Sequence, residues 1–240
     1  MTGPAATASP LQVAIKRIAF GSSLDAELAT EAFGTVMRGE GTAAQIAALL
    51  IGLRVKGETA DEVTGAARAM REAMVRLPVT DTGDLVDTCG TGGGAVPTFN
   101  ISTAAALLAA GAGVRIAKHG NRSFTTQSGS ADVLEQLGVT LEAPLEVAVR
   151  ALDEAGITFM FAPAMHPAMR HVGPVRRELG IPTVMNIVGP LANPAAAGRQ
   201  ASGIRARRPA GSRRRSGWAS RRPSTPSTTR PGCERSPSWA

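Results

Sequence analysis

Residues 87–103 read "DTCGTGGGAVPTFNIST", and the place of this run in the chain decides the architecture. Leu85-Val86 precedes it and an alanine-rich run begins at Ala104, so the glycines at 90, 92, 93 and 94 stand where a strand gives way to a helix. Glycine accepts positive φ and lets a ligand approach the backbone, which allows several N–H groups to face one anion. Asn100, Ser102 and Thr103 open the next helix, where unpaired N–H groups and the helix dipole favour negative charge. Together these features suit a diphosphate, although a plain tight turn accounts for the glycines equally well. The spacing fits neither G-x-G-x-x-G nor the P-loop, whose lysine follows the last glycine directly.

Working downstream, Val114-Arg115-Ile116-Ala117 and Ile157-Thr158-Phe159-Met160-Phe161 read as further buried strands. Helical segments near 101–111, 130–138 and 145–155 lie between them. Strands that alternate with helices predict an α/β domain with a mostly parallel sheet. In such sheets the ligand lies beyond the carboxyl ends of the strands. The strand from Val114 delivers Lys118-His119-Gly120-Asn121-Arg122-Ser123, then Thr125, Thr126, Ser128, Gly129, Ser130 and Asp132 at the entrance to a helix. Two cations, many hydroxyls and a second helix N-terminus converge there, and phosphate binding explains them better than a solvated basic turn does.

Upstream, the first 77 residues predict a small helical domain. Ser9-Pro10 supplies a cap and a proline at the first helical position, before Leu11, Ile15 and Ile18. Ser23 precedes a second stripe, from Leu24 to Met37 and ending near Gly39, and Thr42 is the expected cap of a third, containing Ile46, Leu49, Leu50 and Leu53. Thr59 and Glu62 have the spacing of a capping box, and the helix they start is expected to reach about Val75. Pro78 and Asp81-Thr82-Gly83-Asp84 then mark a linker, so the domains are expected at 1–77 and 78–203.

The 240 residues carry a formal charge of +7 and are 43% hydrophobic, enough for a substantial core. The charge is unevenly placed. From Ile204 onward there are ten arginines and one acid, Glu234, a local charge of +9 that leaves −2 for everything before it. With two tryptophans and one branched aliphatic residue, Ile204, this tail cannot fill a core and is predicted to be disordered. Its Arg, Pro, Ser, Gly and Ala are the residues that GC-rich codons yield out of frame, which favours a frameshift product over an evolved basic arm. The longest apolar run, Ala104 to Val114, is far short of the ~20 residues of a membrane span. No leader pattern opens the chain, so a cytoplasmic address is expected. Two cysteines, Cys89 and Cys233, exclude a disulfide framework. Cys89 reads as a small apolar residue at a strand end, since no motif supplies it with a base.

These residues together resemble a known family, the anthranilate phosphoribosyltransferases. The resemblance covers about residues 11 to 203, through "AQIAALLIGLRVKGETADEVTGAARAM" (44–70), "GTGG" with "TFNIST", "KHGNR" with "SGSADVLEQLG", and "HPAMRHVGPVRRELGIPTVMNIVGPLANP". It implies a helical domain beside a larger α/β domain, a homodimer, and a pentosyltransferase of tryptophan biosynthesis that joins phosphoribosyl pyrophosphate to the amine of anthranilate and releases pyrophosphate. Carried over by position, Gly90, Gly93, Gly94, Thr98, Asn100, Ile101, Ser102 and Thr103 would cradle the pyrophosphate. Lys118, His119, Gly120, Asn121, Arg122, Ser123, Phe124, Thr125, Thr126 and Ser130 would complete that site. Gly90, Asn121 and Arg176 would face anthranilate, the arginine pairing with its carboxylate. His119 and His166 are either structural or in direct contact with substrate.

The resemblance also implies Mg²⁺, with Ser102 as the ligand present. Two departures bear on it. Gly94 stands where the family usually has an aspartate, and the family's adjacent Asp-Glu pair lies beyond the region of resemblance. Magnesium wants oxygen ligands in octahedral array, and Ser102 alone cannot hold it. Further strands of the sheet would lie beyond the resemblance too, leaving apolar faces and an unpaired edge after Met185-Asn186-Ile187-Val188. The chain as written is therefore expected to be aggregation-prone and weakly active or inactive. Two other readings stay open: a pyrimidine nucleoside phosphorylase-like enzyme, which shares the helical motif, and a noncatalytic nucleic-acid binder acting through the arginine tail.

Overall fold

Four helices open the structure, each started by a side chain that accepts an otherwise unpaired backbone N–H. The computed structural model describes residues 8–90, 99–123 and 128–201. The expectations for Gly93, Gly94, Thr98, Phe124, Thr125, Thr126 and the segment from 204 to 240 lie outside the described residues.

Helix α1 (Pro10–Ala19) is capped by Ser9, α3 (Ala43–Lys56) by Thr42 and α4 (Ala60–Glu72) by Thr59, all with reciprocal capping boxes. The cap of α2 (Ala26–Met37) is Asp25: its carboxylate accepts from Leu28 N at 2.8 Å, and a negative charge there also complements the helix dipole. Helix α4 stops at Glu72, short of Val75. Leu11, Phe33, Leu49, Leu50 and Leu53 form the centre of the bundle, each at most 1% exposed. One carboxylate is buried among them. Glu62 accepts from Leu24 N at 2.9 Å and Thr59 N at 2.9 Å, and pairs with Lys56 Nζ at 3.0 Å.

The sheet has four parallel strands in the order β3-β2-β1-β4: β1 (Val86–Asp87), β2 (Ile116–Gly120), β3 (Ile157–Phe161) and β4 (Arg199–Gln200). The middle strand starts two residues later than the sequence pattern suggests and runs on through Lys118-His119-Gly120. Pairing with β3 explains the shift, since the register continues without a break from Ile116↔Ile157 to Gly120↔Phe161. All five residues of β2 are buried. Helices α5 (Ile101–Gly111), α6 (Ser130–Gln136) and α7 (Leu145–Ala155) fall close to the expected segments. Two shorter helices, α8 (Ala162–Met165) and α9 (Gly173–Leu179), follow β3.

Met185-Asn186-Ile187-Val188, after which an unpaired strand edge is expected, are not themselves a strand. These residues form a short helix, α10 (Met185–Val188). A four-residue apolar run is compatible with either structure, and packing decides it. Met185 and Val188 enter the core of the helical bundle, beside Val172, Val175, Val184 and Ala192. The sheet edge on that side is β4, joined to β1 through Val86↔Arg199 and Asp87↔Gln200. Next to α10, Asn193 anchors the chain to the sheet: its amide donates to Ala117 O at 3.0 Å and its oxygen accepts from Ala195 N at 2.8 Å. Helix α5 leaves Ile101, Leu107 and Leu108 exposed. No helix among the described residues is long and apolar enough to cross a membrane.

Candidate active site

Because the strands are parallel, the loops after β1 and β2 leave the same edge of the sheet. Lys118 joins them. It is 2% exposed, and its ammonium donates to Thr88 Oγ1 at 3.1 Å and to Ser102 Oγ at 3.5 Å. The Thr88 hydroxyl in turn donates to Ser102 O at 3.0 Å. A cation from β2, a hydroxyl just past β1 and the first turn of α5 thus meet at one point. Burial lowers the pKa of Lys118 below the usual lysine range, partly offset by Cys89 and Asp87 nearby. Asn100, at the N-cap of α5, makes a second link: its amide donates to Ser128 Oγ at 3.2 Å.

The second loop is held from within. Asp132 accepts from Gly129 N at 2.7 Å and Ser123 N at 3.2 Å, and these bonds keep its carboxyl below the ordinary range. Asn121 O accepts from Ala131 N at 3.2 Å and from Ser130 Oγ at 3.3 Å. At Gly120 any Cβ would strike the Ser130 hydroxyl and the Phe159 ring, so the close approach of α6 to β2 requires glycine there. Arg122 turns to the acids of α6. Its guanidinium pairs with Glu135 at 2.6 and 2.8 Å and with Asp132 at 3.3 Å, rather than joining Lys118.

His119 and Arg176 supply further buried polar groups. The rings of His119 and His166 lie with centroids 5.0 Å apart; no nitrogen of either makes a hydrogen bond of 3.5 Å or less among the described residues, although the backbone of Gly189 lies near His119 and that of Ala192 near His166, each favouring the protonated ring. Burial pushes each imidazole down to about 4, so both are neutral at pH 7. Arg176 lies on α9. Its Nη2 donates to Asn186 Oδ1 at 3.2 Å, and its Nε is buried without a partner among the described residues. No hydrogen bond among the described residues ties its guanidinium to Gly90 or Asn121. An arginine fork with one buried N–H uncommitted suits a carboxylate, whose two oxygens match the fork.

Sequence reasoning passes over Asp87, Thr88 and Asn193. The available signal is the polar pair that follows Leu85-Val86 directly, since a carboxylate at the end of an apolar strand needs a partner. Cys89 behaves as read from sequence: burial, then the charge of Asp87, pushes its thiol up to about 12, which keeps it protonated. The described residues do not fit a magnesium ion on their own. They contain no group of three or more His, Cys, Asp or Glu able to hold a metal. The Ser102 hydroxyl also sits beside the Lys118 ammonium, a neighbour that repels a divalent cation.

Comparison with known proteins places this geometry among related chains. Residues 12–74 match the helical bundle domain of the glycosyl transferase family, and residues 82–211 match its a/b domain. An anthranilate phosphoribosyltransferase of Persephonella marina is 50% identical over 190 residues, covering 79% of this chain and 56% of that protein. The crystal structure of the anthranilate phosphoribosyltransferase of Thermus thermophilus superposes with a TM-score of 0.75 at 48% identity, over 79% of this chain and 57% of that one. The Saccharomyces cerevisiae anthranilate phosphoribosyltransferase, in complex with PRPP and Mg, gives 0.68 at 29% identity, over 77% and 55%. The chain thus spans little more than half the length of the relatives it matches.

Proposed function

Since the chain belongs to the glycosyl transferase family, we propose that it carries the phosphoribosyl pyrophosphate and anthranilate sites of an anthranilate phosphoribosyltransferase. The supporting observation is the meeting of Lys118, Thr88 and Ser102 within hydrogen-bond reach, which makes one anion site of two loops. In the proposed reaction the anthranilate nitrogen forms a bond to the anomeric carbon of ribose as the bond from that carbon to the pyrophosphate oxygen breaks, and the amine then loses a proton. Positive charge builds on the ribose ring and negative charge on the departing pyrophosphate. A fixed cation and backbone N–H groups aimed at the leaving group stabilise that charge more in the transition state than in the ground state. Arg176 orients the arylamine through its carboxylate, which fixes the line of attack. Gly90, Asn100, Ile101, Ser102, Thr103, Lys118, Asn121 and Ser130 line the proposed sites. His119 and His166 add an uncharged wall.

We infer a cytoplasmic homodimer with a helical domain at 1–77, an α/β domain at 78–203 that lends Val172, Val175, Val184, Met185, Val188 and Ala192 to the core of the helical one, and a tail at 204–240 that plays no part in binding. The exposed apolar side chains Val13, Phe20 and Val55 of the helical bundle support pairing. We further propose that magnesium binding is impaired at this site, because the Ser102 hydroxyl lies beside the Lys118 ammonium and no cluster of acids among the described residues could hold the ion. Calorimetry with phosphoribosyl pyrophosphate tests the reading: heat of binding is expected, and its absence at millimolar ligand would overturn the proposed site. Loss of anthranilate fluorescence with magnesium and phosphoribosyl pyrophosphate should be slow or nil. Turnover at ordinary enzyme rates would refute the impairment.

A further inference from the structure

In a parallel pair whose register is Val86↔Ile116, the next rung pairs residue 88 with Lys118. Its backbone would take up Ala117 O and His119 N. Strand β1 ends one residue earlier, at Asp87. Both ladder groups are satisfied by side chains instead. Asn193 Nδ2 donates to Ala117 O at 3.0 Å, and Asp87 Oδ1 accepts from His119 N at 3.1 Å. The same Asp87 oxygen accepts from Cys89 N at 2.9 Å. One atom therefore binds the first amide of the glycine loop and an amide of the strand that carries Lys118.

Asp87 is 1% exposed, and burying a carboxylate beside an anion site is costly twice over: it loses hydration and it repels the ligand. Such a charge is retained for what its oxygen holds. Resting on the phosphate-site reading above, we propose that Asp87 is a positioning residue, whose carboxylate replaces a rung of the sheet so that β1 can end at Asp87 while Thr88 and Cys89 stay in register with Lys118. Asn193 completes the replacement on the carbonyl side. Neither residue touches substrate. Their effect is on the separation of the two loops that do.

The test uses the full 240-residue chain with Asp87→Ala and Asp87→Asn, amide exchange followed by NMR, and inorganic pyrophosphate titrated by calorimetry. In Asp87→Ala, exchange at Cys89 N and His119 N should rise together at least tenfold while the amides of β3 stay as they were, and pyrophosphate affinity should fall at least tenfold. Asp87→Asn keeps an acceptor oxygen in place, so both quantities should stay within about threefold of the parent. If Asp87→Ala does not fold, Asp87→Asn carries the test, and a tenfold loss in it overturns the proposal. Parent-like exchange at the two amides in Asp87→Ala overturns it, as does parent-like pyrophosphate binding. If the parent chain binds no pyrophosphate, the phosphate-site reading fails and the positioning role falls with it; exchange at Cys89 and His119 still shows whether Asp87 joins the loops.

Discussion

Lys118 Nζ lies 3.1 Å from Thr88 Oγ1 across a separation of 30 residues in the chain, and this contact ties strand β2 to the residue that follows β1. Replacing Lys118 with Met keeps most of the side-chain volume and removes the buried charge. Pyrophosphate affinity should fall roughly 10- to 100-fold, the worth of a charge-assisted hydrogen bond. Stability should hold or rise, because the folded protein no longer buries an ammonium without a carboxylate bonded to it. Titration calorimetry and a thermal melt on one sample separate the two effects. A fall in both would mean that Lys118 is structural.

Arg176→Lys isolates the geometry of the proposed carboxylate site. Lysine keeps the charge but cannot donate to Asn186 and to a planar carboxylate through one rigid fork. Anthranilate binding, followed by its fluorescence, should weaken about tenfold, with pyrophosphate binding unchanged. Equal weakening of both ligands would place Arg176 in the scaffold instead.

How much of this was legible in the sequence depends on the range of the forces involved. The cap at Thr42 and the capping box at Thr59 are local, formed between residues three apart, and they stand where the spacing puts them. The alternation of strands and helices also carries over, as does the meeting of the Lys118 loop with the start of α5. What was hidden depends on partners far along the chain. Met185–Val188 has the same apolar content as a strand, and only the bundle core waiting for it makes it helical. Likewise the pairing of Arg122 with Glu135, at 2.6 Å, depends on α6 being in place. Asp87 and Asn193 emerge as ladder substitutes only when the end of β1 is known.

Glu62 is the charge on which the helical bundle turns. Burial alone would raise its pKa, but the N–H groups of Leu24 and Thr59 and the Lys56 ammonium outweigh burial and lower it. A depressed carboxyl contributes stability that is present above its unfolded value, near 4.5, and is lost as the pH falls through the folded one. Glu62→Ala leaves Leu24 N and Thr59 N without their acceptor, and should cost about 3 kcal/mol in urea unfolding at pH 7. The cost should shrink below about pH 4. An unchanged urea midpoint at pH 7 would show that water replaces the carboxylate without penalty.

The His119 and His166 pair predicts a second acid dependence at higher pH. Both imidazoles fall from 6.5 in the unfolded chain to about 4 in the folded protein, chiefly through burial. The unfolded state then takes up protons first as the pH drops below 6.5, so stability declines from there to about 4 and levels off once the folded state is protonated too. The ceiling is roughly 3 kcal/mol for each ring. With centroids 5.0 Å apart, the two rings resist charging together, which extends the decline to lower pH for the second proton. Replacing both with Asn removes groups that titrate in this window, so urea midpoints measured from pH 7 to pH 5 should slope in the parent and lie nearly flat in the double variant. A parent profile already flat over that range would mean that both imidazoles are solvated and retain their ordinary pKa.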